Sequence, residues 1–127
     1  MERGERKLVL VVDDEAPIRA LVRLALEPEF AVIEASNGQE GIEAVLRHRP
    51  DAVLLDVLMP DMDGRETLRR MRELVDTPVI MLTVLASDRD VAVGLHSGAD
   101  EYVTKPFSLE VLTARIRAAV QWTGPIE

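Results

Sequence analysis

The chain has 127 residues, 30% of them charged and 47% apolar, with no cysteine and a formal net charge of −8. That length defaults to one domain able to bury a core without staples, and the missing cysteines exclude disulfides, thiolate zinc sites and cysteine nucleophiles. The acidic balance argues against nucleic-acid binding by these residues and favours cations, divalent metals included.

Residues 1–6 read as an N-terminal tail. Leu8-Val9-Leu10-Val11-Val12 is too short for a membrane span or signal-peptide core. An unbroken aliphatic run of this kind predicts a strand buried on both faces, and Asp13-Asp14 end it. Pro17 is tolerated in a first helical turn. Ile18, Leu21, Val22, Ala25 and Leu26 then recur on one helical face, and Pro28 stops the helix.

Phe30 to Glu34 predicts a shorter strand nearer an edge. Asn37 with Glu40 resembles a helix capping box, and Ile42, Val45 and Leu46 supply that helix's buried side. After Pro50, Ala52-Val53-Leu54-Leu55 runs straight into Asp56 and then the turn formers Pro60, Asp63 and Gly64. A short apolar run closed by turn residues is a central strand. Leu68, Met71 and Leu74 mark a third helix whose outer face carries mixed charge.

Val79 to Leu82 is another continuous apolar strand, ending at Thr83. Ser87 with Asp90 caps a fourth helix with apolar positions Val91, Ala92 and Leu95, and Gly98 suits a left-handed stop. Glu101 to Val103 is the last strand, followed by Thr104-Lys105-Pro106. Ser108 caps a fifth helix with Leu109, Leu112, Ile116 and Val120 on one side. Residues 122–127 read as a tail or the start of a linker, with Trp122 packing the last helix or marking that linker.

Five strand–helix units imply a parallel sheet with right-handed crossovers and helices on both faces. The natural solution is an α/β doubly wound sheet of flavodoxin-like order 2-1-3-4-5. In such a sheet the strand ends share one edge. That edge then gathers Asp13 and Asp14, Asp56, Thr83 and Lys105. Singly, each has an ordinary explanation as a cap, a strand end or a surface lysine. Together they include three carboxylates that repel and raise one another's pKa values, a problem that a divalent cation removes. Magnesium takes oxygen ligands, carboxylates and waters among them. With a lysine and a hydroxyl added, the set suits a transferring phosphoryl group, and one Asp can be the nucleophile.

At these residues the chain resembles the receiver domain of bacterial response regulators. The matching pieces are Val11-Val12-Asp13-Asp14-Glu15, Leu54-Leu55-Asp56 with Met59-Pro60 and Asp63-Gly64, Leu82-Thr83, and Gly98-Ala99-Asp100-Glu101-Tyr102 through Thr104-Lys105-Pro106-Phe107. The resemblance covers residues 7–121. It implies that Asp56 is a phosphoacceptor, taking its phosphoryl group from a sensor histidine kinase's phosphohistidine or from a small donor such as acetyl phosphate. It implies magnesium, with manganese as the alternative ion, held by Asp14, Asp56 and the Leu58 carbonyl, with Asp13 acting mainly through water. Lys105 would bind a phosphate oxygen, with a cis bond to Pro106, and Thr83 and Tyr102 would be the switch pair. The implied protein is cytoplasmic, free of membrane contact, and catalyses only its own phosphorylation and dephosphorylation. Its output would be transcriptional through an effector domain, or else that of a stand-alone receiver acting by protein contact or in a phosphorelay.

Two positions depart from the family's pattern. The residue after the switch threonine is usually small, and here it is Val84. Where dimerising regulators carry an ion pair between the fourth and fifth helices, this chain has Val91 and Val111. Asp100, Glu101 and Arg115 do fit that subclass, so the face formed with Leu95 is expected to support a homodimer on phosphorylation. A haloacid-dehalogenase-type phosphatase would need an acid two residues after Asp56, where Leu58 stands. A receiver that only binds partners would lack part of the acid cluster or the lysine. A nucleotide-binding protein would need a glycine-rich loop after the first strand, where Asp13-Asp14-Glu15 stand. His48 and His96 are read as solvated helix-end or surface residues.

Overall fold

The computed structural model describes residues 6–59 and 62–121. The readings of Pro60, of residues 1–5 in the N-terminal tail, of the C-terminal tail and of Trp122 lie outside those residues. In chain order the elements are β1 (Leu8–Val12), α1 (Ala16–Leu26), β2 (Ala31–Ala35), α2 (Gly38–His48), β3 (Ala52–Leu55), α3 (Gly64–Leu74), β4 (Val79–Thr83), α4 (Asp88–His96), β5 (Glu101–Thr104) and α5 (Leu109–Gln121). All strand pairs are parallel, in the order β2-β1-β3-β4-β5. This is the expected flavodoxin-like sheet, with β2 at one edge and β5 at the other.

Alternation along each strand divides the apolar residues between two layers. Val9, Val11, Leu54, Ile80, Leu82 and Val103 pack with Val22 and Leu26 of α1 and Leu112, Ile116 and Val120 of α5. Leu10, Val12, Val53, Leu55, Val79 and Met81 pack with Ile42 and Val45 of α2 and Leu68 and Met71 of α3. Both faces of the central strands are therefore dry, which explains their unbroken aliphatic runs.

The helix starts follow the expected chemistry. Asn37, Asp63 and Ser87 each accept the backbone N–H three residues on, and the Ser108 hydroxyl accepts from Val111 N. One detail differs. The Glu40 carboxylate does not return to Asn37 but accepts from the backbone and side chain of Ser36, one residue earlier. Those bonds hold its pKa below the ordinary value. α2 ends with Arg49 in the left-handed conformation, directly before Pro50, and Gly98 takes the expected left-handed turn after α4 at φ 116°.

The apolar stripes are narrower than their sequence spacing suggests. Leu21, Leu46 and Leu74 are exposed, because each lies at the flank of a stripe whose centre already fills the sheet surface. α4 departs furthest. Its buried residue is Gly94, while Ala92 and Leu95 face solvent and Val91 is half-buried. This helix lies against β5 at the sheet edge, where there is less sheet to cover it.

Candidate functional site

The residues singled out at the carboxyl edge sit at the last ladder position of their strand or just past it. Val12 and Leu55 are partners in the β1–β3 register, so Asp13 and Asp56 follow side by side. The ladder reaches one step further. Asp13 N donates to Ala35 O at 3.1 Å, Asp56 N to Val12 O at 3.0 Å and Lys105 N to Thr83 O at 2.8 Å. Sheet hydrogen bonds thus fix the backbone beneath three chemically active side chains.

Asp13 and Asp56 are buried, and a buried carboxylate needs a partner. Lys105 supplies it. Its Nζ lies 2.9 Å from Asp13 Oδ2, 3.1 Å from Asp56 Oδ2 and 3.4 Å from Glu15 Oε1. The remaining carboxylate oxygens accept backbone donors: Asp13 Oδ1 from Glu15 N at 2.9 Å and Asp56 Oδ1 from Leu58 N at 3.1 Å. Burial pushes the Asp13 carboxyl above its ordinary range, against the downward pull of the Glu15 amide and Lys105. The Asp56 charge adds a smaller upward push. Repulsion between the acids is therefore present at Asp13, but desolvation is the larger cause. At Lys105 burial acts downward, and the hydrogen bond and charge of Asp13, joined by Asp56, outweigh it. Its ammonium is held above its ordinary pKa.

Ligand atoms of Asp13, Glu15 and Asp56 all lie within 4.8 Å of one another. Asp14 stands at the exposed rim of the same cleft, which Glu15, Asp56, Leu58, Val84 and Lys105 also line and which encloses about 230 Å³. That is smaller than the roughly 300–1,000 Å³ of sites that enclose drug-sized ligands, and it suits a phosphoryl group with a small ion. The donors are carboxylate oxygens, hard ligands of the kind magnesium and manganese prefer. One ammonium against Asp13, Asp14, Glu15 and Asp56 leaves an excess of negative charge, so the residues present fit a divalent cation. Glu15 was quoted in the motif after the first strand but given no part in the site, because it lies three residues past the strand end. Only the turn after β1 brings it back over Lys105.

Thr83 and Tyr102, expected as a switch pair, are joined through a residue that the sequence did not mark. Thr83 is buried in the row that carries Val79 and Met81, and its Oγ1 accepts from Leu85 N at 3.4 Å. The Leu85 carbonyl in turn accepts from the Tyr102 hydroxyl at 2.7 Å. The Tyr102 ring is half-buried and lies so close over Gly94 that a Cβ there would stand 2.6 Å from it. Burial, and then the charge of Asp90, raise the phenol's pKa above its usual value. The Lys105–Pro106 bond is cis.

The family description of a response regulator receiver domain fits residues 9–117. The chain belongs to that family. It is 48% identical over 122 residues to the transcriptional regulatory protein CseB of Streptomyces avermitilis, a match covering 95% of this chain and 52% of that protein. It is 42% identical over 123 residues to the phosphate regulon transcriptional regulatory protein PhoB of Pseudomonas aeruginosa, covering 94% of this chain and 54% of that protein. The chain thus spans about half the length of these curated relatives. Among solved structures, the receiver domain of the Francisella response regulator 1452 superposes with a TM-score of 0.89 at 32% identity, covering 94% of this chain and all of that one.

In this receiver domain the charged residues expected on the dimer face, Asp100, Glu101 and Arg115, are engaged within the chain. Glu101 pairs with Arg115. Asp100 accepts from Arg72 of α3 at 2.7 Å and from Val79 N at 2.8 Å. Leu95 and Val111 remain 44% and 46% exposed beside them. His48 lines a larger hollow of about 540 Å³ along α2 with Glu43 and Arg47. His96 is exposed at the end of α4.

Proposed function

We propose that residues 7–121 form the phosphoacceptor module of a transcriptional response regulator and that Asp56 accepts the phosphoryl group. The observation that carries this reading is the convergence of Asp13, Glu15 and Asp56 on the Lys105 ammonium. Asp56 would attack phosphorus through a carboxylate oxygen. The bond from phosphorus to the donor's nitrogen or oxygen breaks as the new P–O bond forms, and the donor atom leaves with the electron pair. Asp13, Asp14 and Asp56, with the Leu58 carbonyl, would hold magnesium, which supplies positive charge opposite the transferring oxygens. Lys105, released from Asp56 when that carboxylate becomes an acyl phosphate, would keep its Asp13 contact and donate to a phosphate oxygen. The Thr83 hydroxyl, whose present contact is long, is free to turn toward another.

A sensor histidine kinase is the proposed donor, with acetyl phosphate as a small-molecule substitute. The chain would catalyse only its own phosphorylation and dephosphorylation, in the cytoplasm. No helix among the described residues is long and apolar enough to cross a membrane. The longer relatives with transcriptional names support an effector domain in the whole protein. Phosphorylation would reset the face of α4, β5 and α5, through Thr83, Leu85 and Tyr102, and favour a homodimer.

The test is a mass measurement. Incubation with acetyl phosphate and magnesium should add one phosphoryl group, and chelating the metal should abolish the gain. Labelling of Asp56→Asn at the parent's level would overturn the assignment.

A further inference from the structure

Arg19 lies one turn into α1, outside the cleft, and no part of the site chemistry requires it. Its side chain is nonetheless only 17% exposed, and it reaches the site's backbone. Nη1 donates to the carbonyl oxygen of Asp13 at 2.7 Å, while Nε of the same guanidinium donates to Glu34 Oε1 of β2 at 2.9 Å. Glu34 is held in turn by Arg23 at 2.6 Å.

The Asp13 carbonyl belongs to the peptide whose N–H is that of Asp14. A peptide unit is planar, so fixing that oxygen fixes the plane from which the Asp14 side chain departs. On the amino side Asp13 is already held by Ala35 O, and its carboxylate is held by Glu15 N and Lys105. Arg19 supplies the constraint on the carboxyl side. A guanidinium is suited to this because its donors leave a rigid plane in set directions, whereas a lysine ammonium is a single flexible point.

We propose that Arg19 is a positioning residue for cation binding: its tie between the Asp13 carbonyl and Glu34 orients the Asp13–Asp14 turn that receives the metal. The proposal rests on the reading of the acid cluster as a magnesium site. Its sign separates it from an electrostatic role. A positive charge beside an acid cluster opposes a cation, so if charge alone mattered, removing it would tighten magnesium binding. If orientation matters, removal loosens binding, as loss of groups that orient metal ligands generally does.

Magnesium titration by calorimetry on the parent, Asp14→Ala, Arg19→Gln, Arg19→Lys and Glu34→Gln decides the matter, with thermal melts in chelator showing that each variant is folded. Arg19→Gln and Arg19→Lys should both bind magnesium on the order of tenfold more weakly than the parent, and Glu34→Gln more weakly by a smaller factor. If Arg19→Gln does not fold, Arg19→Lys, which keeps the charge and loses the rigid fork, gives the same reading. Parent-like or tighter binding by the folded Arg19 variants, or full affinity in Arg19→Lys alone, overturns the positioning role while leaving the metal site standing. A parent that binds no magnesium, or an Asp14→Ala that binds as the parent does, overturns the site itself and the proposal with it.

Discussion

Gly64 shows how closely the backbone of Asp56, the proposed acceptor, is packed. It opens α3 directly behind Asp56, and its N–H donates to Val57 O at 2.8 Å. A Cβ at this position would stand 2.3 Å from the Asp56 carbonyl oxygen and 2.6 Å from Val57 Cα. Neither is the end of a flexible side chain, so the backbone itself would have to yield. Overpacking of this kind costs about 1–3 kcal/mol. Gly64→Ala should therefore lower the urea midpoint, and it should also slow phosphorylation of the folded fraction, because the displaced atoms belong to Asp56 and its neighbour. A variant with the parent's midpoint would show that α3 can shift without strain. The sequence offered Gly64 only as a turn former. What requires glycine here is contact with the backbone of Asp56 and Val57 just past β3, which becomes visible once α3 is docked.

Among the elements, legibility followed burial. β1, β3 and β4 were read correctly because a strand covered on both faces has no position for a polar residue, so its run is unbroken. β2 was misplaced by one residue, since Phe30 packs into the core ahead of the strand and Glu34 faces outward within it. Of the candidate site residues, Asp13, Asp56 and Thr83 were legible for the same reason as the strands, each being the polar residue that ends an apolar run, whereas Lys105 follows the mixed strand Glu101–Thr104 and was placed by the sheet topology. The contacts of Leu85, Glu15 and Arg19 were not legible, because they depend on how loops and the start of α1 fold back over the edge. α4 was the least legible helix, since its pattern of Val91, Ala92 and Leu95 describes a face that the sheet does not cover. The β2–α1 edge also carries a pH dependence. Hydrogen bonding to Arg23, and then Arg19, holds the Glu34 carboxyl below its ordinary pKa of 4.5. A carboxylate depressed in the folded state contributes stability above its unfolded pKa, and that contribution is lost as pH falls through the folded value. Glu34→Gln should thus be less stable than the parent at neutral pH, by under about 1 kcal/mol for so accessible a group. The gap should close on acidification below about pH 4. Denaturant midpoints at the two pH values measure it, and a gap that widens in acid would contradict the assignment of Glu34 as the charged partner.

For the molecule as a whole, the open question is how a change at Asp56 becomes a change of surface. The path runs along one row: Thr83 accepts from Leu85, Leu85 accepts from Tyr102, and the Tyr102 ring rests on Gly94 of α4. On the proposed switch, the Thr83 hydroxyl would turn to a phosphoryl oxygen and vacate space beside β4, and Tyr102 would give up the Leu85 carbonyl and move inward. α4 would then lose the ring that rests on its glycine. The expected dimer face includes exposed aliphatic side chains. Leu95 and Val111 are half-exposed, while Glu101 and Arg115 satisfy each other within the chain. A second copy of the domain would therefore meet aliphatic surface more than free charge, gaining on the order of 1 kcal/mol for each such side chain it covers. We expect sedimentation to show a monomer that gains mass with beryllofluoride and magnesium, and Val111→Asp to abolish the gain. Salt separates the two kinds of seam: association across exposed ion pairs weakens as the screening length shrinks, whereas association through Leu95 and Val111 should persist or strengthen. A monomer in both states at high concentration would refute the dimer, and mass gain surviving in Val111→Asp, or lost on adding salt, would place the seam elsewhere.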